Sequence, residues 1–323
     1  MNIVITGAAG FIGSHLCERL TNEGHEVLGL DNLTPYYSPE LKTHNVRQIE
    51  KVGTDFKMLD LAQAKLEPHL ETAEYVFHLA GQPGLSSEVS LETYSRNNIS
   101  ATHRLLEALK NSSALKGFIN VATSSIYGQD ASGDETSEPK PTSYYGVTKL
   151  AAEQLALARY RDEDFPACSL RLFSVYGPRE RPEKLYPRLI HSILSGEPFP
   201  LYQGSAEHVR SYSYVEDIVD GLVMCMTEFE RVNGEIINIG TNKTMTTGAG
   251  IAIVEELLGK KAKIALQPKR AGDQLRTSAN IDKARDLLGY NPTTRPQEGL
   301  AQEVAWYKEE VFGQIDPYAA NAS

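Results

Sequence analysis

Asn2-Ile3-Val4-Ile5-Thr6-Gly7-Ala8-Ala9-Gly10-Phe11-Ile12-Gly13 opens the chain, and its reading decides the fold. The apolar, β-branched run Asn2 to Thr6 predicts a strand, and Ile12 to Asn22 predicts a helix. Between them lies G-x-x-G-x-x-G. Glycines at Gly7, Gly10 and Gly13 let the backbone turn tightly and approach a pyrophosphate seated on a helix N-terminus, with Phe11 and Ile12 carrying the turn into the helix. Taken alone, such a turn is as often structural. Placed directly after a chain-initial strand, it points to a dinucleotide.

Working outward, His25 to Leu30 predicts a second strand ending at Asp31. A carboxylate there accepts hydrogen bonds from the adenosine ribose and repels a 2'-phosphate, which favours NAD over NADP; Asn32 stands beside it. Asp60 and Leu61 follow another strand-like stretch and are placed to meet the adenine, although such a pair is commonly just a loop. Further strands are expected at Tyr75 to Leu79, Phe118 to Ala122 and Cys168 to Leu172, with helices near Asn98 to Lys110 and Tyr145 to Tyr160. This alternation predicts an α/β fold, a Rossmann-type doubly wound parallel sheet. Beyond Ser174 the pattern is broken by Pro178, Pro182, Pro187, Pro198 and Pro200, with helices near Leu185 to Leu194 and Val215 to Met226. The expected organisation is an NAD-binding domain over 1–173 and a smaller C-terminal substrate-binding lobe over 174–323. A strand at Glu235 to Ile239 is expected to return to the main sheet.

The chain of 323 residues is 41% hydrophobic, enough for a large core, and its net charge of −10 gives no footprint for a phosphodiester backbone. No apolar run approaches the roughly 20 residues of a membrane span. With strand-like sequence from Asn2 there is no room for a leader, so no nucleic-acid or membrane partner and a cytoplasmic location are expected. Cys17, Cys168 and Cys225 are widely spaced among apolar residues and read as reduced core thiols. The histidines form no ligand cluster, and no metal is expected.

Tyr145 and Lys149 lie four apart at the start of a predicted helix and so share a face. An ammonium beside a phenol favours the phenolate, moving the tyrosine toward neutrality so that it can take a proton from a substrate hydroxyl. The same lysine can hold the nicotinamide ribose. By itself Y-x-x-x-K is common surface decoration; behind a glycine-rich dinucleotide loop it reads as catalytic.

With Thr6 to Gly13, His78-Leu79-Ala80-Gly81, Asn97-Asn98 and Tyr145-Gly146-Val147-Thr148-Lys149, the chain resembles the extended short-chain dehydrogenase/reductases over essentially its whole length. That family contains nucleotide-sugar epimerases, dehydratases and decarboxylases. The resemblance implies cofactor contacts from Leu79, Ala80, Gly81 and Asn98, and makes Thr123 the catalytic hydroxyl beside Tyr145. The next two positions carry an Asp-Glu pair in the sugar 4,6-dehydratases; here they are Ser124 and Ser125. A serine hydroxyl cannot serve as the acid or base that eliminates water. What remains is reversible oxidation and reduction at C4, a 4-epimerisation through a 4-keto sugar.

In the second half Arg181, Arg210 and Arg270 resemble cations that close over a nucleoside diphosphate, with Asp273 on the uridine ribose and Tyr202 bordering the uracil. The stretch Asp31 to Lys42 and Arg181-Pro182-Glu183 resemble the UDP-glucuronic acid 4-epimerases most. Short hydroxyls at Thr123, Ser124, Ser125 and Ser174 would accommodate a C6 carboxylate. Two departures stand out: Ser86, where an arginine is usual, and Tyr144, where a proline is common. A UDP-glucose or UDP-N-acetylhexosamine 4-epimerase is the alternative, with a UDP-sugar decarboxylase or dehydratase, or a catalytically silent NAD sensor, behind it. The family pairs through the helices near Asn98 to Lys110 and Tyr145 to Tyr160, so a homodimer is expected.

Overall fold

Asn2–Thr6 forms β1, the inner strand of a seven-stranded parallel sheet, and Ile3, Val4 and Ile5 are at most 3% exposed because both faces of the sheet are covered. The structure is a computed structural model and describes residues 1–84, 89–268 and 276–319. From β1 the chain continues through α1 (Phe11–Asn22), β2 (Glu26–Asp31), α2 (Pro39–Lys51), β3 (Asp55–Met58) and β4 (Tyr75–His78). A π-helical turn at Ser95–Ser100 then leads into α3 (Ala101–Leu109), β5 (Gly117–Thr123), α4 (Tyr144–Glu163) and β6 (Ala167–Leu172). With β7 (Ile236–Ile239), the strand order is β7-β6-β5-β4-β1-β2-β3. Val4 sits between Leu28 and Val76 in parallel register. Strand order reverses between β1 and β4, and the crevice at their carboxyl ends is where a doubly wound sheet receives a dinucleotide.

Alternation along β1 sorts side chains to two layers. Ile3 and Ile5 join Leu16, Cys17 and Leu20 of α1, whereas Val4 joins Leu105, Leu106 and Leu109 of α3 with Phe118. The first layer also takes Ile218, Leu222 and Cys225 from Val215–Thr227, and Ala284 and Leu288 from Asp282–Leu288. More of the second half therefore covers the main sheet than the strand expected at Glu235 to Ile239. The strand itself does return, pairing with β6 as Ile237 opposite Leu170. A separate apolar cluster of Tyr176, Tyr186, Leu189, Ile190, Phe199, Val254, Leu300 and Tyr307 also holds Tyr37 and Leu41 from the first half.

The sequence reading passes over α2, whose composition is too polar for a clean apolar stripe; its start at Pro39 uses the one helical position where a missing N–H costs nothing. Cys17, Cys168 and Cys225 are buried and unpaired. Cys168 and Cys225 stand 3.4 Å apart, sulfur to sulfur, as a thiol contact. Among the described residues no helix is long and apolar enough to cross a membrane.

Candidate active site

Gly7 takes a left-handed φ of 75°, and a Cβ on it would lie 2.8 Å from the Ala80 nitrogen. A Cβ on Gly13 would come 2.1 Å from the Gly7 carbonyl oxygen. Both positions therefore demand glycine, and the turn delivers the N-terminus of α1 bare: Gly10 caps it without a side chain, and the first turn holds no acidic residue. Exposed N–H groups at the positive end of a helix fit a pyrophosphate. Asp31 ends β2 and is held by the backbone N–H groups of Ala9 and Leu33, which donate to its two carboxylate oxygens at 3.2 and 2.8 Å. Asn45 of α2 donates to the Ala9 carbonyl at 2.9 Å and braces the loop from outside. Asn32 turns its amide oxygen back on the Thr34 N–H at 3.1 Å. These features fit NAD.

Asp60 caps the Ala62 N–H at 2.9 Å and pairs with Arg96 from the π-helical turn. Leu61 is buried, and Arg104 donates to its carbonyl at 3.1 Å. Asn98, expected as a cofactor contact, carries an internal network as well. Its amide oxygen accepts from the Gln82 N–H at 2.6 Å, and its amide nitrogen donates to Thr148 at 3.0 Å and to the Gln82 carbonyl at 3.3 Å. That amide stitches the loop after β4 to the catalytic helix. Gly81 makes room for it, since a Cβ there would meet the Asn98 amide oxygen at 2.8 Å. Leu79 and Ala80 are fixed by β1: the Leu79 N–H donates to the Thr6 carbonyl and the Ala80 N–H to the Thr6 hydroxyl, each at 3.2 Å.

His78 extends the same chain of bonds. Its ring nitrogens bond the Thr6 and Thr102 hydroxyls, each at 2.8 Å. Because Thr102 donates to the Asn98 carbonyl at 2.6 Å, it must accept from Nε2–H, so Nδ1 accepts from Thr6. Burial, with Lys149 adding to it, pushes His78 down to about 3 and keeps it neutral.

Ser143 caps α4 by accepting from the Gly146 N–H at 3.1 Å, and Tyr145 and Lys149 follow on one face as the spacing predicts. A Cβ on Gly146 would lie 2.7 Å from the Ser125 carbonyl oxygen, so this glycine lets the catalytic helix lie directly on the Thr123-Ser124-Ser125 triplet. Thr123 ends β5, accepts from the Ser125 N–H at 3.2 Å and hydrogen-bonds the Tyr145 phenol. Electrostatics here correct the sequence reading. Tyr145 is raised, not lowered, by burial; what pulls it back is the Thr123 hydrogen bond and the charge of Arg181. Lys149 is brought down to about 8 by burial, against the pull of Glu153. Two cationic or phenolic groups packed into one apolar wall each lose more to desolvation than they gain from the other.

Arg181 reaches the reacting end. It lies 5.6 Å over the Tyr36 ring and pairs with Glu183 at 3.0 Å. Gly84, with φ 93°, admits the Tyr36 hydroxyl, because a Cβ there would sit 2.4 Å from it. Tyr94 donates to the Gly84 carbonyl at 2.8 Å and sets its ring 6.4 Å from that of Tyr145. The sequence reading did not single out Tyr94 or Gly146 as functional. Ser124 is buried, while Ser125, Ser174, Tyr202 and Arg210 are partly exposed. Arg210 lies in the short strand Val209–Arg210, and Tyr202 ends the strand Pro198–Tyr202. Arg270, Asp273 and Ser86 lie outside the described residues. Tyr144 is 55% exposed at the first helical position, which is the position where proline is at home, so the departure there leaves the helix start intact.

The NAD dependent epimerase/dehydratase family matches this chain over residues 3–240. The chain belongs to that family. Among its relatives is the uncharacterized UDP-glucose epimerase YtcB of Bacillus subtilis (strain 168), 37% identical over 97% of this chain and 100% of that protein. UDP-glucuronate 4-epimerase 6 of Arabidopsis thaliana is 32% identical over 95% of this chain and 71% of that one. A solved structure of UDP-glucuronic acid 4-epimerase from Bacillus cereus, in complex with UDP-glucuronic acid and NAD, superposes with a TM-score of 0.90. It is 36% identical and covers 96% of this chain and 99% of its own. The cofactor of this family member is NAD, as the bare helix terminus and Asp31 require.

Proposed function

We propose that this protein is a UDP-sugar 4-epimerase acting through a transient 4-keto sugar, with UDP-glucuronate and UDP-galacturonate as the interconverted pair. The observation that carries the reaction type is the triplet at the end of β5: Thr123 engages Tyr145, and Ser124 and Ser125 occupy the neighbouring positions without a carboxylate. Tyr145 is placed to take the C4 hydroxyl proton and later return it. The Thr123 hydroxyl donates to the tyrosine oxygen, and Arg181 adds positive charge, so both favour the phenolate that burial opposes. Lys149 would hold the nicotinamide ribose through its ammonium. The chemistry that bound NAD would supply is a reversible hydride acceptor for C4, and Lys149 with the glycine turn and Asp31 would hold it there.

Short hydroxyls at Ser124, Ser125 and Ser174 suit a C6 carboxylate by donating hydrogen bonds, with no acid to repel it, while the single Thr123 proton is committed to Tyr145. Arg210, Arg270, Asp273 and Tyr202 remain the proposed contacts to the nucleotide. Arg181, by its position beside Tyr36 and Tyr145, is assigned to the sugar end of the site. The likeness to UDP-glucuronate epimerases supports the uronate; the likeness to the Bacillus subtilis UDP-glucose epimerase supports the second reading, a neutral hexose. Following the anomeric proton by NMR with UDP-glucuronate and UDP-glucose in separate reactions tests this. Turnover of the neutral sugar alone overturns the uronate, and a pentose product means decarboxylation.

The exposed apolar residues Tyr144 and Val147 on α4 support pairing of two copies through that helix. Light scattering should then give about 71 kDa, twice the chain mass of 35.6 kDa. Three buried, unpaired thiols favour a reducing compartment such as the cytoplasm.

A further inference from the structure

Behind Arg181, the stretch of chain that carries it is fastened to the cofactor helix. His15 of α1 bonds the Pro178 carbonyl through Nε2 at 2.9 Å, and three positions on, Glu18 accepts from the Arg179 guanidinium at 2.7 Å. Residues three apart share a helix face, so α1 presents both groups to one segment. A carbonyl only accepts, so the imidazole carries its proton on Nε2. Phe11 at the start of α1 sets its ring edge-on to His15, centroids 6.0 Å apart. On the far side of the segment, the Tyr318 hydroxyl donates to the Pro182 carbonyl at 3.3 Å.

The backbone between these anchors is strained. Arg179 stands at a φ of 71°, in the left-handed region that favours glycine, and a non-glycine residue persists there when its surroundings over-determine it. The Glu180 N–H closes the turn on the Gly177 carbonyl at 3.0 Å. Successive side chains then part: Arg179 goes to α1, Glu180 is buried, and Arg181 lies over the Tyr36 ring. Glycine would hold the φ at position 179 without strain; arginine adds the guanidinium that meets Glu18.

We propose that Glu18 and Arg179, with the His15 bond beside them, are positioning residues for Arg181: they register its segment on the helix whose N-terminus seats the dinucleotide. One rigid helix thereby carries the cofactor at its first turn and, from its second, holds the cation of the sugar end. From Arg181 the contacts run on to the reacting phenol. Tyr36 under the guanidinium fits its hydroxyl against Gly84, the Gly84 carbonyl accepts from Tyr94, and the Tyr94 ring stands 6.4 Å from that of Tyr145. The ion pair is partly exposed, 12% at the Arg179 side chain and 23% at Glu18, so it adds little to global stability, and its effect is on register.

This inference rests on the epimerase reading for its kinetic arm, which uses whichever of UDP-glucuronate and UDP-glucose the wild-type protein turns over. A second arm, hydrogen exchange of residues 177–184 in the NAD-loaded protein, needs no turnover, so failure of the epimerase reading is told apart from failure of this one. Glu18→Gln and Arg179→Gly are made separately; the glycine keeps the left-handed turn and removes the side chain. Each should lower kcat/KM for the sugar about 10-fold, the effect of a displacement of about half an ångström at Arg181, while NAD affinity stays within about twofold. Exchange across residues 177–184 should rise about fivefold or more in both, with β1 and α1 as in wild type. In an Arg181→Met background, Glu18→Gln should cost no more than about twofold further, because the pair acts through that arginine. A full loss of about 10-fold repeated in that background overturns the proposal. So does unchanged kcat/KM in the single variants, a fall in NAD affinity as large as that in kcat/KM, or unchanged exchange at residues 177–184.

Discussion

Replacing Gly146 by alanine perturbs the point where the catalytic helix touches its partner triplet. The added Cβ would stand 2.7 Å from the Ser125 carbonyl oxygen and 3.0 Å from Pro141 Cβ. Relieving the first contact to the 3.4 Å of ordinary van der Waals approach requires a displacement of about 0.7 Å. Backbone carbonyl and proline ring do not yield as a flexible side chain would, so the helix start must lift. Overpacking of this kind costs about 1–3 kcal/mol, while alanine in place of glycine in a helix returns up to about 1 kcal/mol. The net loss of stability is therefore modest, on the order of 0–3 kcal/mol. Catalysis is more sensitive: a misplacement of about 1 Å costs roughly 100-fold, so lifting Tyr145 off Thr123 by two-thirds of that should lower kcat about 10- to 100-fold. KM should change much less, because the arginines of the nucleotide end are untouched. Steady-state kinetics by coupled NMR or chromatographic assay, run beside thermal unfolding, separates the two effects. A variant that keeps kcat within about twofold of wild type refutes the close helix-on-triplet contact as the basis of the Tyr145–Thr123 geometry.

Three further outcomes follow from named groups. Asp31→Asn removes the charge that repels a 2'-phosphate and keeps an acceptor for only one of the Ala9 and Leu33 N–H groups; NAD should bind roughly 10-fold more weakly and the preference for NAD over NADP should shrink, read by isothermal titration with each cofactor. Lys149 is charged below about 8 and neutral above it, so NAD affinity should decline as pH rises through 8, as cofactor fluorescence titrations at pH 7 and 9 would show; constant affinity across that range sinks the ribose role. His15 and His78, both held near 3 by burial, stay neutral in the fold while the unfolded chain takes up protons below 6.5. Stability should therefore fall as pH drops from about 6.5 toward 3, each histidine contributing about 2 kcal/mol of loss by pH 5, as urea unfolding at pH 7 and pH 5 measures.

Much of this protein was legible in order along the chain. The strand, glycine turn and helix of Asn2 to Asn22 stand where the residues place them, because a glycine-dependent turn and a period of 3.6 are local properties. Tyr145 and Lys149 share a buried face for the same reason. Asp31 lies at the end of β2 as required of a ribose acceptor. Less local features escaped. Nothing near Arg181 in sequence announces Tyr36 or Tyr145, which come to it across the site only when the lobe folds over β2 and β5. The family resemblance implies a cofactor contact at Asn98; that its amide also joins Gln82 and Thr148, partners 16 and 50 positions away, shows only in the fold. Helical spacing brings Lys149 to the face of Tyr145, but the direction of the phenol's shift depends on burial and on a charge from another element, Arg181.

The sequence alone determined the doubly wound sheet, the dinucleotide turn and the residue types of the proton relay, since each follows from periodicity, glycine stereochemistry or functional groups a few positions apart. Tertiary structure decided the electrostatics. Whether a phenol or a lysine is raised or lowered depends on desolvation and on Coulomb terms that fall off with distance in space and ignore distance along the chain. Arg181 acquires its meaning there, where a distant loop brings its charge beside Tyr36 and Tyr145.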